Sequence, residues 1–339
     1  AIWFRQVLER AGAKIVPHEN PCVLPKACKT KEEQDAIRNA HLRDGVNVTK
    51  FLVWLDGEAA KGTLTELDAV EKLEEFRALD KGFRDTSFDT ISGWAAHGAI
   101  VHYRATQESN VTITPPGILL LDSGAQYTEG TTDITRTIAI GAPTEEQKKA
   151  FTLVLRGHIG IAGTTFPEGA RGVDLDVLAR RPLWSEGMDY GHGTGHGVGC
   201  YLSVHEEGGG LHSRAMRPFK PGMVVSNEPG YYKEGAFGIR IENLVLVREA
   251  GKMEGGKARL AVATLTLVPI DRRLIKPEMM NDEEITWLND YHARVEREIS
   301  PHLDAREQAW LKEATKPLKK PDAAAPAPGS RPAPQNPSP

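Results

Sequence analysis

Four carboxylates and one imidazole in this 339-residue chain stand where their chemistry is costly unless something answers it. Asp122 follows the apolar run Ile118-Leu119-Leu120-Leu121. A carboxylate at the end of such a strand is expensive to bury without compensation. Asp133 lies further on, past the turn-like Thr128-Glu129-Gly130-Thr131. A hairpin of that length brings the two carboxylates onto neighbouring strands, side by side. There they repel unless protonated or bridged by cations. Glu228 follows Val224-Val225-Ser226-Asn227, and Glu242 sits in Ile239-Arg240-Ile241-Glu242-Asn243-Leu244. The imidazole is His196, in the glycine-dense stretch Gly191-His192-Gly193-Thr194-Gly195-His196-Gly197-Val198-Gly199. Glycine at that density lets the backbone lie close against a neighbour, and imidazole is a common ligand for divalent transition metals. Together these groups can hold two divalent ions about 3.5–4 Å apart, with a bridging water as a hydrolytic nucleophile.

Each residue alone has a plainer reading. An aspartate at a strand end caps a turn. A strand glutamate faces solvent or pairs, with Arg240 at hand for Glu242, and a histidine in a glycine-rich loop is a turn residue. The joint pattern carries the weight, because all four carboxylates abut apolar or glycine-rich segments. Other reactive side chains are not recruited. His41 reads as a helix-surface or core residue, and His97 and His212 as surface or turn residues. Cys200 has no base–nucleophile pattern around it and reads as a small buried filler. Cys22 and Cys28 read as free thiols, since no second pair follows to complete a zinc site.

The elements that must position these groups follow from caps and periodicity. Thr30 with Glu33 forms a capping box that opens a long helix ending at Gly62, and Thr63 with Glu66 repeats it for a helix to about Leu79. The texture then turns to β, with strands expected over 87–91, 100–103, 118–127 and 133–140. Thr144 with Gln147 caps a further helix, and a shorter one is expected over 173–184. Strands are expected again over 223–227, 237–246 and 260–269, then two helical stretches between 277 and 314. Before all this, Trp3, Phe4, Val7 and Leu8 have helical spacing with Gly12 as a stop, 13–16 has strand character, and 20–28 is linker-like with prolines.

Bulk composition excludes several classes. A net charge of −4 gives no basic field for nucleic acid or anionic membrane. The longest uncharged apolar runs are far too short to cross a bilayer. Three cysteines, odd and sparse, do not make a disulfide framework, and a cytoplasmic location is expected.

At this point the motifs resemble those of the pita-bread metallopeptidases, and within them the three-domain Xaa-Pro aminopeptidases (aminopeptidase P). The resemblance rests on five segments in order: 121–127, 130–137, 191–206, 227–232 and 238–243. It implies an α+β pita-bread (creatinase/aminopeptidase) fold, a curved antiparallel sheet flanked by helices. It implies an enzyme that removes the N-terminal residue from peptides with proline second, with two divalent metal ions per chain, typically manganese. Asp122 would bind one metal through both oxygens, Asp133 and Glu242 would bridge, and His196 and Glu228 would complete the other metal's shell. Glu228 would accept the proton of the metal-bridging water. His102 and His205 would lie by the scissile bond, His192 would line the pocket that receives proline, Tyr232 would bind substrate, and Arg240 would orient carboxylates.

By the same resemblance, residues 1–29 are the remnant of a preceding domain plus linker, 30–270 the catalytic domain and 271–316 a C-terminal helical extension that contributes to a homodimer. Residues 317–339, with eight prolines, are expected to be a disordered tail. Three rivals share the framework. A prolidase would cleave dipeptides ending in proline with the same ligands. Methionine aminopeptidases are shorter and lack the extension. A non-catalytic pita-bread binding module would have lost metal ligands, and all five are present here.

Overall fold

The computed structural model describes residues 2–320. The architecture is α+β, with antiparallel sheets covered by helices. The centre is a three-stranded sheet of Ile91–Trp94, Gly117–Ser123 and Ile134–Ile140. Asp122 pairs with Ile91 on one side and Thr135 on the other. A six-stranded sheet runs in the order Thr165–Pro167, Ala258–Thr264, Asn243–Lys252, Val224–Asn227, Gly195–Gly197, Glu206–Leu211. It therefore places the His196 strand beside the strand that leads into Glu228. The hairpin Gly230–Lys233 with Phe237–Arg240 carries Tyr232 and Arg240 against the central sheet.

The expected long helix is Lys31–Glu58, with the Thr30–Glu33 box formed, and a 3-10 turn carries it to Gly62 at φ +67°. The next helix, Glu66–Ala78, is capped by Thr65 and Asp68 rather than by Thr63 and Glu66. The shift frees Glu66 for a buried role: it accepts the Trp94 amide, the Tyr103 hydroxyl and His97 Nδ1. His97 is accordingly a half-buried partner of a buried carboxylate, not a free surface residue. The Thr144-capped helix is Glu145–Ala162, the shorter one Gly172–Trp184.

Several expected strands break where two segments must approach closely. The run 118–127 stops at Gly124, where a Cβ would come within 2.2 Å of Thr132 O. The run 237–246 stops at 241–242, whose amides go to Pro229 O and Thr135 O instead of a ladder. Residues 83–86 and 91–94 are the strands in place of 87–91, and 100–103 is a turn. No strand forms over 13–16, and the linker-like stretch holds a short helix, Val23–Ala27, that begins ahead of Pro25. Cys200 is partly buried, with Sγ 3.6 Å from Glu129 O. His41 is buried and bonds Ile37 O.

The C-terminal helices Asp282–Ile299 and Ala305–Ala314 share one core with the body: Ile285, Leu288, Val295 and Leu311 pack with Phe151, Leu155 and Leu267. Of the expected tail, 317–320 lies against this body, with Leu318 buried and its backbone paired to the Asn289 side chain. The remainder, 321–339, lies outside the described residues.

A buried ion pair braces the central hairpin. Arg77 donates through Nε and Nη2 to Asp44 at 2.8 and 3.1 Å, and reaches Ser123 Oγ and Gly124 O. Asp44 also accepts the Tyr127 and Thr132 hydroxyls. Removing one partner of such a pair strands the other without compensation. Asp44→Ala should therefore cost about 3–5 kcal/mol in denaturant unfolding; a loss below about 1 kcal/mol would show the hairpin is held by packing alone.

Candidate metal centre

The interruptions in the sheets place the five sequence-predicted ligands around one small volume. Asp122 arrives on the central sheet, and Asp133 lies just before the Ile134–Ile140 strand. Glu228 follows the Val224–Asn227 strand, Glu242 sits at the break between two strands, and His196 comes from the second sheet. Ligand atoms of Asp133, His196 and Glu242 all lie within 4.8 Å of one another. All five residues line one cleft of about 710 Å³.

The His196 ring is already oriented as a ligand needs. Its Nδ1 lies 2.9 Å from Gly197 O, and a carbonyl only accepts, so Nδ1 carries a proton and Nε2 is the atom turned to the carboxylates. That Nε2 is 3.4 Å from both Asp133 Oδ2 and Glu228 Oε1. Ser226 receives the His196 amide and donates to Glu228 Oε1, setting these two residues against each other.

Charge is only partly answered from within. Arg240 donates to Asp122 Oδ2 at 2.6 Å, to Tyr232 Oη at 2.7 Å and to Thr135 Oγ1 at 3.1 Å. Thr135 in turn donates to Glu242 Oε2. Burial pushes Asp133 up to about 6 and Glu228 up to about 7, and holds Glu242 well above the usual carboxylate range. Burial alone would lower His196; its hydrogen bond to Asp133 and the charges of Glu228 and Asp133 raise it to about 9. These directions share one cause. Carboxylates crowd a low-dielectric site in which Arg240 is the guanidinium bonded to one of them, Asp122.

Two carboxylate oxygens in the ring, Asp122 Oδ1 and Glu242 Oε1, are buried without a hydrogen-bond partner. Buried polar atoms without partners are rare. The set of oxygen donors with one imidazole suits divalent cations. By both tests the residues fit a metal centre.

Of the other expected site residues, His102, His192, His205 and Arg240 line the same cleft, and Tyr232 stands behind them. His102 and His205 are exposed to it, and the His205 ring lies edge-on to His196 at 4.2 Å between centroids. His192 donates from Nδ1 to Gly193 O and accepts the Tyr232 hydroxyl at Nε2. Burial, then the nearby Arg240 charge, lowers it to about 4, so it is neutral at pH 7. Tyr232 thus reaches the cleft through His192 and Arg240. His212 is a turn residue, accepting the Arg214 amide, and it also lines the cleft.

Sequence reasoning passed over the braces. Arg136 uses its donors on Glu242 O, Thr135 O, Asn243 Oδ1, Val268 O, Pro269 O and Tyr291 Oη, tying the C-terminal helix to the Glu242 segment. His158, fully buried, donates to Asn227 O and accepts from Asn243 Nδ2, the neighbours of the two glutamates. An arginine inside an apolar strand was a readable signal for Arg136. A lone histidine on a helix face gave none for His158.

Asp133→Ala should leave near-UV circular dichroism unchanged, since it removes a buried charge, and should lower manganese bound after reconstitution from about two ions per chain to one or none. Retention of both ions by mass spectrometry of the native protein would exclude Asp133 as a ligand.

Residues 35–249 match the sequence model of metallopeptidase family M24, and residues 259–318 that of the C-terminal region of peptidase M24. Aminopeptidase P2 of Arabidopsis thaliana is 47% identical over 309 residues, 89% of this chain and 44% of that protein. A probable Xaa-Pro aminopeptidase P of Aspergillus flavus is 46% identical over 304 residues, 87% and 46% of the two chains. The chain thus spans about half the length of the curated relatives it matches. Among solved structures, an X-prolyl aminopeptidase from Caenorhabditis elegans, described as a cytosolic enzyme with a di-nuclear active site, is similar at TM-score 0.85 and 42% identity. That match covers 88% of this chain and 50% of the other. An Xaa-Pro dipeptidase from Bacillus anthracis is similar at TM-score 0.66 and 28% identity, covering 79% and 70%.

Proposed function

This chain belongs to metallopeptidase family M24, and from that premise we propose that it removes the N-terminal residue from peptides with proline in second position. The observation that carries the reading is the buried ring of Asp133, His196 and Glu242 beside the unpartnered oxygens of Asp122 and Glu242. The likeness to Xaa-Pro aminopeptidases supports the proline specificity. Asp122, Asp133, His196, Glu228 and Glu242 would hold two divalent cations, which when bound supply Lewis-acid polarisation of the scissile carbonyl and an acidified water. Manganese is the proposed metal; cobalt and zinc suit the same donors.

The chain's own residues divide the remaining work. Glu228 is the proton acceptor: its side chain is 17% exposed toward the cleft, and Ser226 fixes Oε1. His102 and His205 face the cleft as donors to the oxyanion that develops on the carbonyl. Burial lowers His205, so it donates as a neutral imidazole. An Xaa-Pro bond has no N–H, so the leaving group is recognised by its ring, against which neutral His192 stands. Arg240 is turned inward to Asp122, Tyr232 and Thr135 and sets the carboxylates.

No helix among the described residues is long and apolar enough to cross a membrane. A cytoplasmic location and a homodimer built through the C-terminal helices belong to the same reading, supported by the resemblance. So does the division into a preceding remnant over 1–29, a catalytic unit over 30–270 and a helical extension over 271–316.

The test is hydrolysis of an Xaa-Pro-Xaa tripeptide by the full-length protein with and without manganese. Manganese-dependent release of the first residue is expected, and Glu228→Gln should lower kcat by about 10²–10⁴-fold. Efficient cleavage of Gly-Pro with Arg-Pro-Pro left intact would make the protein a prolidase instead.

A further inference from the structure

The loop that carries His192 has little of its own to aim a side chain. Nothing lies within 4 Å of where a Cβ on Gly191 would sit, so that side of the loop is open. Glycine also has more backbone freedom to lose than any other residue. His192 is nonetheless set, with its ring on Tyr232 and its face to the cleft.

The restraint comes from the Gly172–Trp184 helix. Arg180 donates from Nη1 to Tyr190 O at 2.8 Å and from Nη2 to His192 O at 2.7 Å. These two carbonyls flank Gly191, so one planar guanidinium straddles the glycine. Its other contacts keep it from moving. Nε donates to Asp176 at 2.8 Å, Nη1 also reaches Asp189 at 2.9 Å, and the guanidinium carbon lies 4.1 Å from the centre of the Tyr190 ring. Asp176, one turn earlier on the helix, accepts the Thr194 hydroxyl, which also meets the Tyr190 hydroxyl. Thr194 O accepts the Glu228 amide. One helical turn therefore holds both ends of the 190–194 loop.

We propose that Arg180 is the positioning residue of the proline-side wall: it fixes the His192 backbone so that the imidazole stays seated on Tyr232 and faces the substrate. The proposal rests on the Xaa-Pro reading of the cleft. Arg180 acts through His192, and its fork is the necessary property. A lysine would retain the charge but, as a point donor, cannot span both carbonyls in fixed geometry.

The experiment compares wild type, Arg180→Lys and Arg180→Ala as full-length, manganese-reconstituted protein. It measures tripeptide kinetics, bound manganese and hydrogen exchange over 189–197. Arg180→Lys should raise KM about tenfold, short of the roughly hundredfold that an ångström of misplacement costs, with kcat within about threefold. Exchange over the loop should quicken while bound manganese is unchanged. Millimolar guanidinium, but not ammonium, should restore KM in Arg180→Ala. An unchanged KM in Arg180→Lys, or parallel loss of kcat and thermal midpoint in Arg180→Ala without guanidinium rescue, would overturn the proposal. If wild type cleaves no Xaa-Pro bond, the reading of the reaction fails separately. The exchange arm then still decides on Arg180: unchanged loop exchange refutes it, and faster exchange reversed by guanidinium upholds it.

Discussion

Gathering Asp122, Asp133, Glu228 and Glu242 around one imidazole sets the constraint on which the rest of the structure depends. Like charges in a low-dielectric pocket are tolerated only if protonated, paired or bridged by cations. Arg240 answers Asp122 directly and touches Glu242 only through Thr135. What remains is a concentration of negative charge with unpartnered oxygens pointing inward. The fold can be read as the apparatus that keeps this arrangement from relaxing.

That apparatus works by interrupting regular structure. Gly124 lets the central hairpin turn against Thr132, and the break at 241–242 sends the Glu242 amide to Thr135 O and so across to the other sheet. Behind the interruptions stand buried polar braces: Asp44–Arg77 under the hairpin, Arg136 under Glu242, and His158 between Asn227 and Asn243. Each satisfies backbone groups that a continuous strand would have satisfied itself. Each also links the site to a helix, so site geometry and global packing are one problem.

This explains which parts were legible in the sequence. The candidate carboxylate ligands could be read because an acid directly after Leu121, or just past Val224-Val225, is anomalous in any fold. Helix starts at Thr30 and Thr144 were legible from the capping boxes. The Thr63–Glu66 cap failed because Thr65–Asp68 offers the same pattern two residues on, and Glu66 was needed elsewhere. Strand ends failed where tertiary contacts end the strand: the apolar runs continue through Gly124 and Ile241, and only the neighbouring segments stop them. His97 was misread for the same reason, since its partner Glu66 lies far away in sequence. Tyr232 shows the limit in the site itself. Its motif marked it for substrate, but it stands behind the cleft lining in the chain Arg240–Tyr232–His192, which appears only in three dimensions.

Anomalous scattering from manganese-loaded crystals tests most directly whether the buried ring is a two-cation centre. Two anomalous peaks inside the ring of Asp122, Asp133, His196, Glu228 and Glu242 are the result this account predicts. A single peak there, or peaks only elsewhere on the protein, would contradict it.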